Sequence, residues 1–229
     1  MAIISFVLVN PKMELHDLIE QNNRLLLLME HFNTGFTVAD MTIEEICNSK
    51  GINPLLFASL CNLYNGYDKQ LFEPQTIDDF NQLIDFLENS HRYYLDEMYP
   101  EIKHFIKKLS EINDTADIKM LDKFFESYFL EVKKHLEYEQ KKVFPLFRLI
   151  CNGGSDIPDL KKSKKISHSD IETKLADLKN LLLKHIKLVD KDGAKRKLLS
   201  AIFEFQFDLT IHSIIEDKIL MPSIMKICK

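Results

Sequence analysis

Glycine is scarce in this chain, at six residues in 229, and tryptophan is absent. So few glycines leave few sites for tight turns, which favours long helices over many short strands. The four cysteines, Cys47, Cys61, Cys151 and Cys228, include no CxxC pair and no two neighbours. That spacing gives no support to a zinc or thioredoxin-type site and suggests reduced, mostly buried thiols in a cytoplasmic protein. An excess of positive charge is also lacking. The formal net charge of −5 supplies no overall attraction to nucleic acid or an anionic membrane. The apolar opening MAIISFVLVNP has no basic n-region and no small-residue cleavage site. It is too short to span a bilayer and reads as a short packed segment such as one strand. No other apolar stretch approaches spanning length.

What is present fits a soluble globular protein: 45% hydrophobic and 28% charged residues, in a length suited to one large domain or one ordinary domain plus a small one. In MELHDLIEQNNRLLLLMEHF, residues Leu15, Leu18, Ile19, Leu25, Leu26 and Met29 fall on a broad helical stripe. MTIEEICNSKGINPLLFASLCNLY reads as helix, turn at Lys50–Gly51, helix. Thr42 and Glu45 have capping-box spacing, and Asn53 precedes Pro54 as a cap. Residues 67–76, YDKQLFEPQT, look like a linker. Four long helices are expected after it, roughly over 77–108, 118–150, 160–188 and 196–225, separated by short turn-like breaks that make neighbours antiparallel. Pro145 and Pro222 fall late in the second and fourth and should kink or tighten those turns. The fold class is therefore all-α: an up-down four-helix bundle over 77–226, preceded by a small helical domain over 1–70.

Two segments of this bundle repeat. HLEYEQKKVFP begins at His135 and HSIIEDKILMP at His212. His135 and His212 stand 77 residues apart, as do Glu139 and Glu216, Pro145 and Pro222, and His91 and His168. Each expected helix thus carries one histidine of a set related by a single offset, and the second half of the bundle repeats the first. Residues four apart on a helix share a face, so His135 points with Glu139 and His212 with Glu216. If that face is the interior, four imidazoles and two carboxylates converge. Buried carboxylates need cationic partners or a metal. Imidazole with carboxylate suits iron or manganese, and two carboxylates between two ions with two histidines each make a balanced dinuclear centre.

A single HxxxE is a weak signal, since lone histidines on helices commonly sit on the surface or in ordinary packing; the shared offset is what raises it. His16, His31, His104 and His185 have no place in the repeat and read as surface or packing residues. Glu131, one turn before His135, is placed equally well as a group behind the ligands or as a solvated residue. Tyr94, Tyr128 and Tyr138 are candidates to hydrogen-bond near the site, although tyrosine at helical spacing is more often simple packing. Lys161, Lys162, Lys164 and Lys165 read as a solvated helix start.

These residues resemble the hemerythrin-like (HHE cation-binding) family in having one histidine per helix and HxxxE followed by FP or MP on the second and fourth helices. The resemblance covers roughly 77–226. It implies a four-helix bundle with two non-haem iron ions, manganese or zinc being the alternatives, held by His91, His135, Glu139, His168, His212 and Glu216, with both glutamates bridging. The domain order is similar to the iron–sulfur cluster repair di-iron proteins (RIC or ScdA type), in which a small helical domain precedes the bundle. Those proteins usually carry a vicinal cysteine pair where this chain has Thr37–Val38 within GFTVAD, so chemistry that uses such a pair is not implied here. Ser167 stands where they often have glutamate before the third histidine, and SHRYY where two adjacent histidines are common.

The resemblance implies a stress-response protein that takes a small diatomic ligand or peroxide, with iron–sulfur proteins as partners, or else an oxygen or redox binding and sensing module without turnover. Nucleic acid is an unfavourable partner for residues 40–66 despite their helix-turn-helix-like spacing. Residues 1–70 carry four basic and eight acidic residues, and PLLFASLCNLY has no arginine, lysine or glutamine to read base edges. That helix is better read as a packing or homodimer surface. No membrane partner is expected.

Overall fold

The structure is a computed structural model and describes residues 8–154, 168–190 and 192–227. Residues 1–7 of the apolar opening, the four lysines before His168, Ser167 and Cys228 lie outside that set. Helices are the regular structure of the described residues, with no strand beyond an isolated antiparallel bridge between Glu14 and Thr42. The chain divides into two compact units, Met1–Asn89 with Ile214–Lys229, and Ser90–Ser213.

In the first unit, α1 (Leu15–Gln21), α2 (Leu25–His31), α3 (Ile43–Lys50) and α4 (Pro54–Tyr64) are short. The segment over residues 13–32, which carries a continuous helical stripe in the sequence, breaks in two. Asn22 is extended, at φ −145°, because its side chain is used elsewhere. It donates to Asn65 Oδ1 at 2.7 Å and to the Tyr64 carbonyl at 3.2 Å, and accepts from Arg24 N–H at 3.1 Å. A local side-chain alternative of this kind competes with the helix ladder. The caps follow the sequence. Thr42 Oγ1 accepts from Glu45 N–H, and Glu45 Oε2 accepts from Thr42 N–H at 2.9 Å. Gly51 ends α3 at φ +69°, a left-handed conformation that suits glycine at a helix C-terminus. Asn53 accepts from Leu55 N–H at 2.9 Å ahead of Pro54.

α4 packs on α2 and α3, and Leu56, Phe57, Leu60, Cys61 and Leu63 are buried. A helix apolar on all sides sits at the centre of its unit. Of the two roles read from the sequence, packing or homodimer surface, burial agrees with packing, and Leu55 stays 64% exposed. Val9 is held at the chain start by Asn62, whose side chain both accepts from its N–H (2.8 Å) and donates to its carbonyl (3.0 Å).

Residues 67–76 form no helix. Beyond them run α5 (Ile77–Tyr93), α6 (Tyr99–Ile112), α7 (Ala116–Tyr138), α8 (Phe144–Cys151), α9 (His168–Asn180), α10 (Ala194–Ile214) and α11 (Met221–Ile227). Within the second unit α7 packs on both α6 and α9. Between α5 and α6, α7 and α8, and α10 and α11 the helix does not stop. It passes through π-helical segments at Tyr94–Met98, Glu139–Val143 and Ile215–Leu220. A proline is the second residue of each following helix: Pro100, Pro145 and Pro222. The residue before each proline donates five residues back, Tyr99 to Tyr94, Phe144 to Glu139 and Met221 to Glu216. Pro145 and Pro222 therefore widen the turn before them, where a kink or tightening was expected. Proline lacks an N–H and its ring crowds the carbonyl four residues back, and a π-turn relieves both.

By length and composition, Ala194–Ile227 is the one described helix apolar enough to cross a membrane, which corrects the expectation that no stretch approaches spanning length. LLSAIFEFQFDLTIHSII, beginning at Leu198, contains only Glu204 and Asp208 as charged residues. Leu198, Ile202, Phe205 and Leu209 of this helix are buried, and the mostly buried core helix of a soluble fold passes the same test.

Asp79 locks the start of α5. It accepts from Gln75 N–H (2.9 Å), Thr76 N–H (3.0 Å) and Asn53 Nδ2 (2.7 Å). Burial pushes its carboxyl up, but these hydrogen bonds outweigh that and hold it below its usual value. Its stabilisation is therefore complete above the unfolded-state value of about 3.9 and is lost as pH falls through the lower folded value. Asp79→Ala is expected to cost about 1–3 kcal/mol near neutral pH, and urea melts of variant and parent should converge as pH falls through the lowered folded value. A constant gap across pH would contradict this.

Candidate metal centre

The second unit brings together four histidines from four helices: His91 near the end of α5, His135 near the end of α7, His168 opening α9 and His212 near the end of α10. All four expected ligand histidines meet around one carboxylate, Glu139, which is 2% exposed. Its two oxygens divide them. Oε1 lies 2.7 Å from His135 Nε2 and 3.5 Å from His168 Nε2. Oε2 lies 3.3 Å from His91 Nε2 and 3.9 Å from His212 Nε2. The rings pair in the same way, with centroids 4.7 Å apart for His135 and His168 and 5.0 Å for His91 and His212. Ligand atoms of His135, Glu139 and His168, and separately of His91, Glu139 and His212, lie within 4.8 Å of one another.

The side chains of His91, His135 and His212 are at most 7% exposed, and that of His168 is 11% exposed. Nε2 of His91, His135 and His212 and Oε2 of Glu139 are buried without hydrogen-bonding geometry. Several lone-pair atoms that aim at one place without bonding each other suit a cation between them. Burial pushes the Glu139 carboxyl up, but contacts with His135, His168 and His91 outweigh this and hold it well below the usual range. Burial, then the charge of His91, lowers His212 well below the usual imidazole value. A neutral imidazole is the form that ligates a metal.

Glu216 is buried and lies four residues beyond His212 in the π-helical continuation of α10, the position Glu139 holds relative to His135. Glu131 is half-buried and ion-paired with Lys174. Among the histidines outside the repeat, His31 is buried against Phe86 at 5.1 Å between centroids, and His16, His104 and His185 are exposed. Cys47 and Cys61 are buried and free. Burial pushes the Cys47 thiol up to about 12 and raises that of Cys61 further, so neither is an activated thiolate.

Comparison of the chain with protein-family models, with curated proteins and with solved structures gives no match. The reading of the site therefore rests on these residues and their geometry. It contains buried His and Glu donors close enough to hold a metal ion.

The sequence did not single out Ser90 or Asp208, while Tyr94 was a candidate to hydrogen-bond near the site, with packing as the commoner role. Ser90 Oγ lies 2.8 Å from His212 Nδ1, and Tyr94 donates to Asp208 Oδ2 at 2.9 Å. Tyr94 also packs on the His212 ring, with centroids 6.0 Å apart. One signal was available: Asp208 sits one turn before His212, as Glu131 does before His135, and the two are 77 residues apart.

A ligand that binds only the folded state stabilises it, by about 2.7 kcal/mol at roughly a hundredfold excess over Kd. Adding divalent metal to the chelator-treated chain is therefore expected to raise the thermal midpoint. Glu139→Ala should abolish the rise and His104→Ala should leave it intact. Differential scanning calorimetry decides, and a full rise in Glu139→Ala would contradict the role given to this carboxylate.

Proposed function

We propose that the chain is a non-haem dinuclear iron protein of the nitrosative or oxidative stress response that handles nitric oxide or peroxide at the metals or assists the repair of iron–sulfur clusters. The observation that carries this reading is the division of four imidazoles between the two oxygens of one buried carboxylate. His91 and His212 would hold one ion with Oε2 of Glu139, and His135 and His168 the other with Oε1. The repeat supports the same pairing. Exchanging its halves turns His91 into His168 and His135 into His212, which maps one pair onto the other and Glu139 onto Glu216. By the same exchange Glu216, buried and one turn beyond His212, would supply the second carboxylate.

Bound iron supplies open coordination positions and redox chemistry to a small ligand. The chain itself positions the donors and excludes water. Phe144 stacks on His91 at 5.4 Å, and Phe205 packs on Tyr94 at 5.2 Å. Among the described residues no cysteine joins the site, and its donors are nitrogen and oxygen. Free, buried Cys47 and Cys61 suit a reducing, cytoplasmic setting.

Protein purified from iron-supplemented cells without chelator is expected to contain about two irons per chain, with a charge-transfer band in the visible or near-ultraviolet. Nitric oxide should change that band stoichiometrically. Elemental analysis and the optical spectrum of one sample test this together. A folded protein without stoichiometric metal would overturn the reading, and two manganese or zinc ions would overturn its choice of iron.

A further inference from the structure

A line of buried side chains leaves His212 from the ring nitrogen that does not face Glu139. Ser90 Oγ lies 2.8 Å from Nδ1. The Tyr94 hydroxyl hydrogen-bonds Ser90 and donates to Asp208 Oδ2 at 2.9 Å. Ser90, Tyr94, Asp208 and His212 are each at most 1% exposed. Both ends of the line stand on α10, with Asp208 one turn before His212, and both middle links come from α5 and its π-helical continuation.

Counting protons fixes the direction of every bond. A carboxylate only accepts. Tyr94 has one hydroxyl proton and gives it to Asp208, so its oxygen can only accept from Ser90. Ser90 also has one hydroxyl proton, so towards His212 its oxygen accepts. The proton between Ser90 and His212 must then sit on Nδ1. A neutral imidazole protonated at Nδ1 carries a bare lone pair on Nε2, and Nε2 is the atom 3.9 Å from Glu139 Oε2.

We infer that Ser90, Tyr94 and Asp208 are positioning residues that hold His212 in its Nδ1–H tautomer and so keep Nε2 free as a metal ligand. The purpose of the line rests on the metal reading above; the tautomer does not. The device belongs to one half of the repeat. Glu131, the counterpart of Asp208, is half-buried and ion-paired with Lys174. Ser167, the counterpart of Ser90, lies outside the described residues.

The test is long-range 1H–15N correlation on the full chain with 15N-labelled histidine, in chelator near neutral pH, with His212 assigned by its loss in His212→Asn. Zinc(II), a diamagnetic probe, is then titrated into the same samples. The parent is expected to show His212 protonated at Nδ1 only. Ser90→Ala and Tyr94→Phe should each move it towards an Nε2–H mixture, and Ser90→Thr, which keeps the hydroxyl, should restore it. Ser90→Ala should weaken zinc binding about 10–100-fold, with recovery in Ser90→Thr. If the tautomer behaves this way while zinc fails to bind the parent, the positioning line stands and the metal reading falls. If the parent is already a mixture, or a folded Ser90→Ala or Tyr94→Phe chain leaves His212 unchanged, the inference is overturned whatever zinc does.

Discussion

A carboxylate removed from water must be compensated, and Glu139 sets that constraint on the second unit. At 2% exposure an uncompensated charge would cost several kcal/mol, comparable with the net stability of a whole domain. Four imidazoles answer it, two at each oxygen. They cannot all answer by protonation, because burial and mutual repulsion hold His212 neutral. His212 thus keeps a lone pair beside the charge, and unprotonated donors around a buried carboxylate are the condition under which metal binding and folding become coupled.

Such a site needs donors from distant positions held at fixed depth, and long helices supply this with the fewest irregular residues. His91, His135, His168 and His212 each occupy a separate helix. The apolar residues around them, Phe144, Phe205, Leu136 and Leu209, are buried and contribute about 1.5–3 kcal/mol apiece, which offsets the cost of polar groups in the interior. The small helices of the first unit do a different job. Their polar residues, Asn22, Asn53, Asn62 and Asp79, tie loops and helix ends together and take no part in a buried charge cluster.

What was legible in the sequence was whatever depended on neighbours or on repetition. Thr42 with Glu45 and Asn53 with Pro54 announce helix starts because each cap uses residues within one turn. The four histidines were legible because a 77-residue offset is improbable by accident, although each alone says little. The break at Asn22 was hidden, since it depends on Tyr64 and Asn65, more than forty residues away. Ser90 and Asp208, and the line they form with Tyr94, were hidden for a related reason. A serine, a tyrosine and an aspartate with ordinary helical spacing become a chain only when two helices are side by side. For α4 the sequence left a packing and a homodimer surface open, because an apolar stripe does not reveal what covers it.

The π-turns before Pro100, Pro145 and Pro222 have a geometric consequence for how these helices are used. Each adds one residue to a turn and so rotates everything beyond it by about 100° relative to an uninterrupted helix. His135 and Glu139 lie on one azimuth of their rod, and the buried Phe144, Phe147 and Ile150 continue it in a new rotational phase. The same holds for His212 and Glu216 ahead of Ile224. A single unbroken rod can thus aim donor atoms along one direction and core side chains along another without spending residues on a loop. The proline that enforces the change of phase stands about ten residues after each of the three histidines, so ligand and clutch travel together in the sequence.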